Sequence, residues 1–233
     1  MEYNGSAVVA MAGKNCVALA TDTRYGIQPQ TVATDMRKAF KITERCMVGM
    51  SGLVTDIQTL INKFRFRLNL YELREERVMR PSVFANMVSS MLYEKRFGPY
   101  FVEPVICGLE EVPVNASSSS EDSMGESKGD SSSSTTASAK PTTEFRPYLC
   151  AMDLLGAPVY TNDFVVAGTT GEELYGVCEA MYRPNLEPED LFETISQCLL
   201  AAQDRDCLAG WGAIVHIITP SGIITRELKA RQD

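Results

Sequence analysis

The chain of 233 residues holds one histidine, one tryptophan and no cysteine pair in a C-x-x-C arrangement. Its seven cysteines (16, 46, 107, 150, 178, 198 and 207) are scattered and none clusters with His216. A structural zinc site needs four soft ligands at close spacing, so this pattern excludes one, and no metal or other cofactor is expected. The count is odd and most of these cysteines lie in apolar runs, where a thiol behaves as a small buried hydrophobe. A reducing, intracellular setting is the expectation. An excess of basic residues is also missing: 22 Lys and Arg face 30 Asp and Glu, a formal net charge of −8. Nucleic acid and anionic membrane surfaces both attract a basic face, so neither is an expected partner. No apolar run reaches the roughly 20 residues of a membrane span. The apolar run at 7–12 follows Glu2 and no base, and Gly13-Lys14-Asn15 interrupts it, so no secretory signal is expected.

What is present is an ordinary globular composition, 45% hydrophobic and 22% charged, except in one stretch. Between 115 and 140, eleven of 26 residues are serine and Met124 is the only large apolar side chain. Such a segment cannot bury enough surface to offset its ordering entropy. It separates two strand-like runs at 101–108 and 147–152, so it reads as a loop insertion, at about 110–144, within a single domain spanning 1–233.

The remaining pattern is strands, two helices, strands, two helices, strands. Short β-rich runs at 7–12 and 15–21 meet at a turn, and further strands fit 39–43 and 46–50. Leu53, Ile57, Leu60, Ile61, Phe64, Leu68 and Tyr71 then recur at helical spacing, and Pro81 opens a second helix with the stripe Phe84, Met87, Val88, Met91 and Leu92. After the insertion come strands near 148–152, 158–160 and 164–167, a helix at 172–181, and a helix opened by Pro188 with acids in its first turn. Strands at 212–218 and 222–228 close the chain around Thr219-Pro220-Ser221-Gly222. Hairpins joined to separate helix pairs predict an α+β fold, a four-layer αββα sandwich of two antiparallel sheets.

Thr21-Asp22-Thr23-Arg24 after a hairpin, Gly49-Met50-Ser51-Gly52 before a long helix, and Asp204-Arg205-Asp206 ahead of Gly210-Trp211-Gly212 resemble the proteasome β-subunit family. The stretches FRFRLNLYEL at 64–73 and LYEKRFGPY at 92–100, and the ending LKARQD at 228–233, resemble one non-catalytic branch of it. The resemblance covers the chain outside the serine-rich insertion and implies the N-terminal nucleophile hydrolase fold, in agreement with the layer count. Active members cut themselves before a threonine, whose hydroxyl then attacks peptide bonds. Its free α-amine serves as base, tuned by a nearby lysine and aspartate, because a neutral hydroxyl is a weak nucleophile.

On that pattern the nucleophile position is Ser6, preceded by Gly5. The aspartate is Asp22, the lysine Lys38, the oxyanion-hole glycine Gly52 and a supporting aspartate Asp206. Three departures weigh against catalysis. Ser6 lacks the threonine methyl group, a supporting serine is replaced by Ala209, and Gly168-Thr169-Thr170-Gly171 stands where Gly-Ser-Gly-Ser is expected. Losing a general acid–base contribution lowers a rate by about 100- to 10,000-fold, so these six positions read as vestigial. The short segment ahead of Ser6 is expected to be retained.

The function implied is that of a non-catalytic β-subunit of the 20S core. It walls the chamber used in ubiquitin- and ATP-dependent degradation of unfolded polypeptides and completes a neighbour's substrate pocket. Its implied partners are the beta type-2 and beta type-4 subunits, α-subunits and the opposite β-ring, and its implied location is cytoplasm and nucleus. The C-terminal carboxylate of Asp233 is implied to reach a partner's metal site. Two alternatives are a self-processing hydrolase built on Ser6 and a free-standing homo-oligomer of the same fold. Other residues have structural readings: His216 as a satisfied core or interface histidine, Asp22 with Lys38 as an ion pair, and residues 204–206 as a helix-end charge network. Lys63, Arg65 and Arg67 read as a solvated or subunit-facing helix side, and Tyr71, Tyr93, Phe97, Tyr100, Phe101 and Trp211 as candidates for surface covered in an assembly.

Overall fold

A computed structural model describes residues 3–113 and 143–232. Residues 1–2, 114–142 and 233 lie outside the described residues, and with them the readings attached to the insertion and to the C-terminal carboxylate.

Two five-stranded antiparallel sheets form the middle of the molecule. The first has the order β10-β1-β2-β11-β12, from β1 (Ala7–Gly13), β2 (Cys16–Asp22), β10 (Phe164–Gly168), β11 (Ala213–Thr219) and β12 (Gly222–Leu228). The second has the order β5-β6-β7-β8-β9, from β5 (Ala39–Thr43), β6 (Cys46–Gly52), β7 (Val102–Pro113), β8 (Thr143–Met152) and β9 (Pro158–Thr161). β7 and β8 continue their pairing through Val112 opposite Glu144, so both sides of the insertion are neighbouring strands of one sheet.

Alternation along each strand feeds two cores at once. From β1, Val8 and Ala10 face the other sheet and pack with Leu19, Met47, Val105 and Leu149. Ala7, Val9 and Met11 point the opposite way, into a core closed by α3 (Gly171–Met181) and α4 (Pro188–Gln203). Outside the second sheet lie α1 (Val54–Glu75) and α2 (Pro81–Tyr93), whose Ile57, Leu60, Phe64, Phe84 and Val88 cover Val48, Met50 and Ile106. The layers are therefore helices, sheet, sheet, helices, as the alternation of periods predicts. All seven cysteines are unpaired and six are buried; burial pushes the Cys16 and Cys150 thiols up to about 11. Among the described residues no helix is long and apolar enough to cross a membrane.

A third sheet was not expected from the sequence. β3 (Tyr25–Ile27) and β4 (Gln30–Ala33) form a small hairpin that joins neither large sheet. Of the aromatics proposed for an assembly surface, Tyr93, Phe97 and Phe101 are exposed, whereas Tyr71 and Tyr100 pack partly against the α1–α2 core. Lys63, Arg65 and Arg67 lie on the exposed side of α1; Lys63 meets the Tyr100 hydroxyl and Arg67 pairs with Glu94.

Candidate functional site

The antiparallel pairing of β1 with β2 sets Asp22, the last residue of β2, against the start of β1, and Asp22 Oδ1 accepts the Ala7 amide at 2.9 Å. Lys38, just ahead of β5, donates to both Asp22 oxygens at 2.7 and 2.8 Å and to the Gly5 carbonyl at 3.2 Å. Asp22 Oδ2 also accepts the amides of Arg24 and Gly210. Asp22 is fully buried and Lys38 nearly so. Burial pushes the Lys38 ammonium below the ordinary lysine value, and Asp22 opposes that shift.

Ser6 is buried immediately before β1. Its amide donates to Thr169 Oγ1 at 3.3 Å, and its carbonyl accepts the Thr169 amide at 2.9 Å. The Thr169 hydroxyl in turn donates to Asp206 Oδ2 at 2.5 Å, while Asp206 Oδ1 accepts the Leu208 amide. The expected charge network of residues 204–206 is thus replaced, at Asp206, by a hydroxyl and a backbone amide. The cause is that the turn after α4 brings this carboxylate onto the β10–α3 loop. Ala209 is buried and offers no hydroxyl. Gly52, at the end of β6, has φ 112°, and an added Cβ would overlap the Phe101 carbonyl oxygen, so only glycine fits there.

Three contributors were not assigned from sequence. Asn4 is buried; its side chain donates to the Gly26 carbonyl at 2.8 Å and accepts the Val54 amide at 3.1 Å. Arg24 is buried too, with its guanidinium spread over the carbonyls of Asn4, Gln28 and Leu208 and the Thr31 hydroxyl. Glu103 accepts Ser51 Oγ and the Gly168 amide, both at 3.2 Å, and so links the ends of β6 and β10. An acid inside the apolar run 101–108 was the only available sign of Glu103. Among the described residues no three His, Cys, Asp or Glu side chains are grouped so as to hold a metal ion.

The sequence matches the family described as "Proteasome subunit" over residues 2–114 and 138–218. The chain belongs to the proteasome subunit family. It is 52% identical to the proteasome subunit beta type-3 of Picea mariana over 232 residues, covering 100% of this chain and 98% of that protein. The beta type-3 subunit of Dictyostelium discoideum is likewise 52% identical over 233 residues, and that of Drosophila melanogaster 48%, with the same coverage of 100% and 98%. The chain is thus a beta-type subunit of the type-3 branch, and its two facing sheets with flanking helices are the N-terminal nucleophile hydrolase sandwich of that family.

In this proteasome subunit two hydrogen-bonded clusters, Asp22 with Lys38 and Thr169 with Asp206, meet on the backbone of residues 5–7 around Ser6. Neither cluster holds an uncommitted nitrogen base. An ammonium has three hydrogens and no lone pair, and those of Lys38 go to Asp22 and Gly5. While Gly5 precedes it, the Ser6 nitrogen is an amide, a donor only. The arrangement holds chain segments together, and among the described residues no side chain is hydrogen-bonded to the Ser6 hydroxyl.

Proposed function

We propose that this subunit is a structural, non-catalytic member of the β-ring of the 20S proteasome core, where it walls the proteolytic chamber without cutting substrate. The observation that carries this reading is the commitment of Lys38. Its ammonium grips the Gly5 carbonyl and both Asp22 oxygens, so Ser6 faces no general base, and Ala209 supplies no hydroxyl in support. Ser6, Asp22, Lys38, Gly52, Asp206 and Ala209 are, on this reading, vestigial as catalytic positions. Its partners are other α- and β-subunits. We assign the beta type-2 and beta type-4 subunits as ring neighbours, with contacts to α-subunits and the opposite β-ring, and a contribution to a neighbour's substrate pocket. Unfolded polypeptides pass through the chamber it lines, and the complex works in cytoplasm and nucleus. The net charge of −8 supports the absence of a nucleic-acid partner.

Intact mass and N-terminal sequencing of the chain from native assembled particles test the reading. Retention of residues ahead of Ser6 is expected, whereas a chain beginning at Ser6 would give it a free amine and overturn the assignment. Native mass of the particle separates a hetero-oligomer of many chains from a homo-oligomer of this one.

A further inference from the structure

Asn4, Gly5 and Ser6, immediately ahead of β1, are buried. Each is fixed by a different element. The Gly5 carbonyl is held by Lys38, and Gly5 has φ 68° with an added Cβ overlapping the Leu208 carbonyl, so the chain passes there at the closest approach glycine permits. Asn4 spans two elements: it donates to Gly26 in β3 and accepts the Val54 amide, a first-turn donor of α1 that its own N-cap, Leu53, leaves without a side-chain partner. Tyr3 accepts the Gln28 amide through its carbonyl, at 2.7 Å.

The β3–β4 hairpin is what these contacts hold. Its strands have three and four residues, it carries a register shift at Tyr25/Gly26, and it pairs with neither large sheet. A two-stranded hairpin alone is marginal in water. Its ties to the rest of the molecule run to Tyr3, Asn4 and Arg24: Gln28 N to Tyr3 O, Asn4 Nδ2 to Gly26 O, Arg24 Nη2 to Gln28 O and Arg24 Nε to Thr31 Oγ1. The remaining arm of Arg24, Nη1, reaches the carbonyls of Asn4 and Leu208. A buried guanidinium satisfied by backbone carbonyls from three segments is costly to strip of any of them. Gly26 is required beside it, since an added Cβ there would overlap the guanidinium.

We propose that residues 3–5 form a strap, buckled by Arg24, that fixes the β3–β4 hairpin and the first turn of α1 to the body of the fold. The segment ahead of Ser6 is then a working structural element, whose removal would loosen the hairpin. This goes beyond catalytic silence, because a chain can be inert without depending on that segment for local order.

Amide hydrogen exchange on the full chain, free and in assembled particles, tests the proposal with Asn4→Ala and Arg24→Lys. Asn4→Ala removes two hydrogen bonds and should speed exchange in peptides covering 25–33 and 54–57 by about 10- to 30-fold. Peptides from β1, β2 and β6 should be unchanged. Arg24→Lys should act in the same direction on 25–33, and Asn4→Ala alone keeps the test decisive if Arg24→Lys does not accumulate. Hairpin exchange equal to wild type in both states, or equal acceleration in every strand, would overturn the strap.

Discussion

Replacing Lys38 with methionine separates a structural Lys38 from a catalytic one. The substitution keeps the length of the side chain and removes the charge, leaving Asp22 fully buried with only the amides of Ala7, Arg24 and Gly210 to satisfy it. Breaking a buried pair from one side typically costs about 3–5 kcal/mol. Arg24, close enough to act on Lys38 electrostatically, offsets part of this, so about 3 kcal/mol is expected. For a domain of this size each kcal/mol moves the melting midpoint by about 2–4 °C, so a fall of roughly 6–12 °C should follow. Asp22→Asn added to Lys38→Met removes the stranded charge while keeping an acceptor for Ala7, and should recover about half of the loss. Thermal melting of the isolated chain is the assay, with recovery in assembled particles as a second readout. Ser6→Ala should melt within about 1 kcal/mol of wild type and leave particle peptidase activity unchanged, since Ser6 performs no chemistry. A Lys38→Met chain that melts like wild type while particle activity falls would refute the reasoning.

Stability should also fall in acid through His216. Burial, with Arg37 nearby, pushes its imidazole down to about 4 from the usual 6.5, and Nδ1 lies 2.8 Å from the Thr225 hydroxyl. Below pH 6.5 the unfolded chain takes up a proton that the folded one refuses until about pH 4. The contribution is therefore intact above pH 6.5 and lost across that window, by on the order of 2–3 kcal/mol, and His216→Gln should flatten the urea-midpoint profile there. Phe64→Ala should cost about 3–5 kcal/mol in denaturant titration, because Phe64 is fully buried and packs edge-on to Phe84 with ring centroids 5.4 Å apart. Gly52→Ala should cost about 3 kcal/mol or more and reduce recovery in particles, since φ 112° and the Phe101 carbonyl both exclude a Cβ.

Elements with a strong local period were legible in the sequence. The stripe from Leu53 to Tyr71 marks α1 because Ile57, Leu60, Phe64 and Leu68 must share one helix face to be buried, and they do. Gly222–Leu228 was legible to the residue because Thr219 to Gly222 is a turn with chemistry of its own, its threonine hydroxyl bonding the Gly222 carbonyl. The β3–β4 hairpin was not legible. Its residues 25–33 are short of any sustained alternation and are interrupted by Gly26 and Pro29, and its order comes from Tyr3, Asn4 and Arg24 rather than from its own pattern. The site divides the same way. Asp22 and Lys38 stand out as charges beside apolar strands, whereas Arg24 works on main-chain carbonyls up to 184 residues away, and backbone acceptors leave no mark on a sequence.

Catalytic silence does not free the charged residues of this site to vary. Lys38, Arg24, Asp22 and Asp206 form a balanced set of two cations and two anions, close enough that each of the other three shifts the Lys38 ammonium. Removing Lys38 or Asp22 leaves its partner as a buried charge that cannot reach water, at a cost comparable to a large part of a domain's net stability. The departures from the active pattern fall where the folded state loses little. Ala209 carries a methyl where the active pattern has a hydroxymethyl, in a buried position, and Ser6 lacks one methyl group while keeping the backbone bonds to Thr169. In this chain the ions are kept where they serve the fold, whereas the hydroxyl positions that differ cost the folded state little. Residues 3–5 complete the conversion: the Lys38 proton that an active site would place at the service of a nucleophile is spent here on the Gly5 carbonyl, tying the chain down.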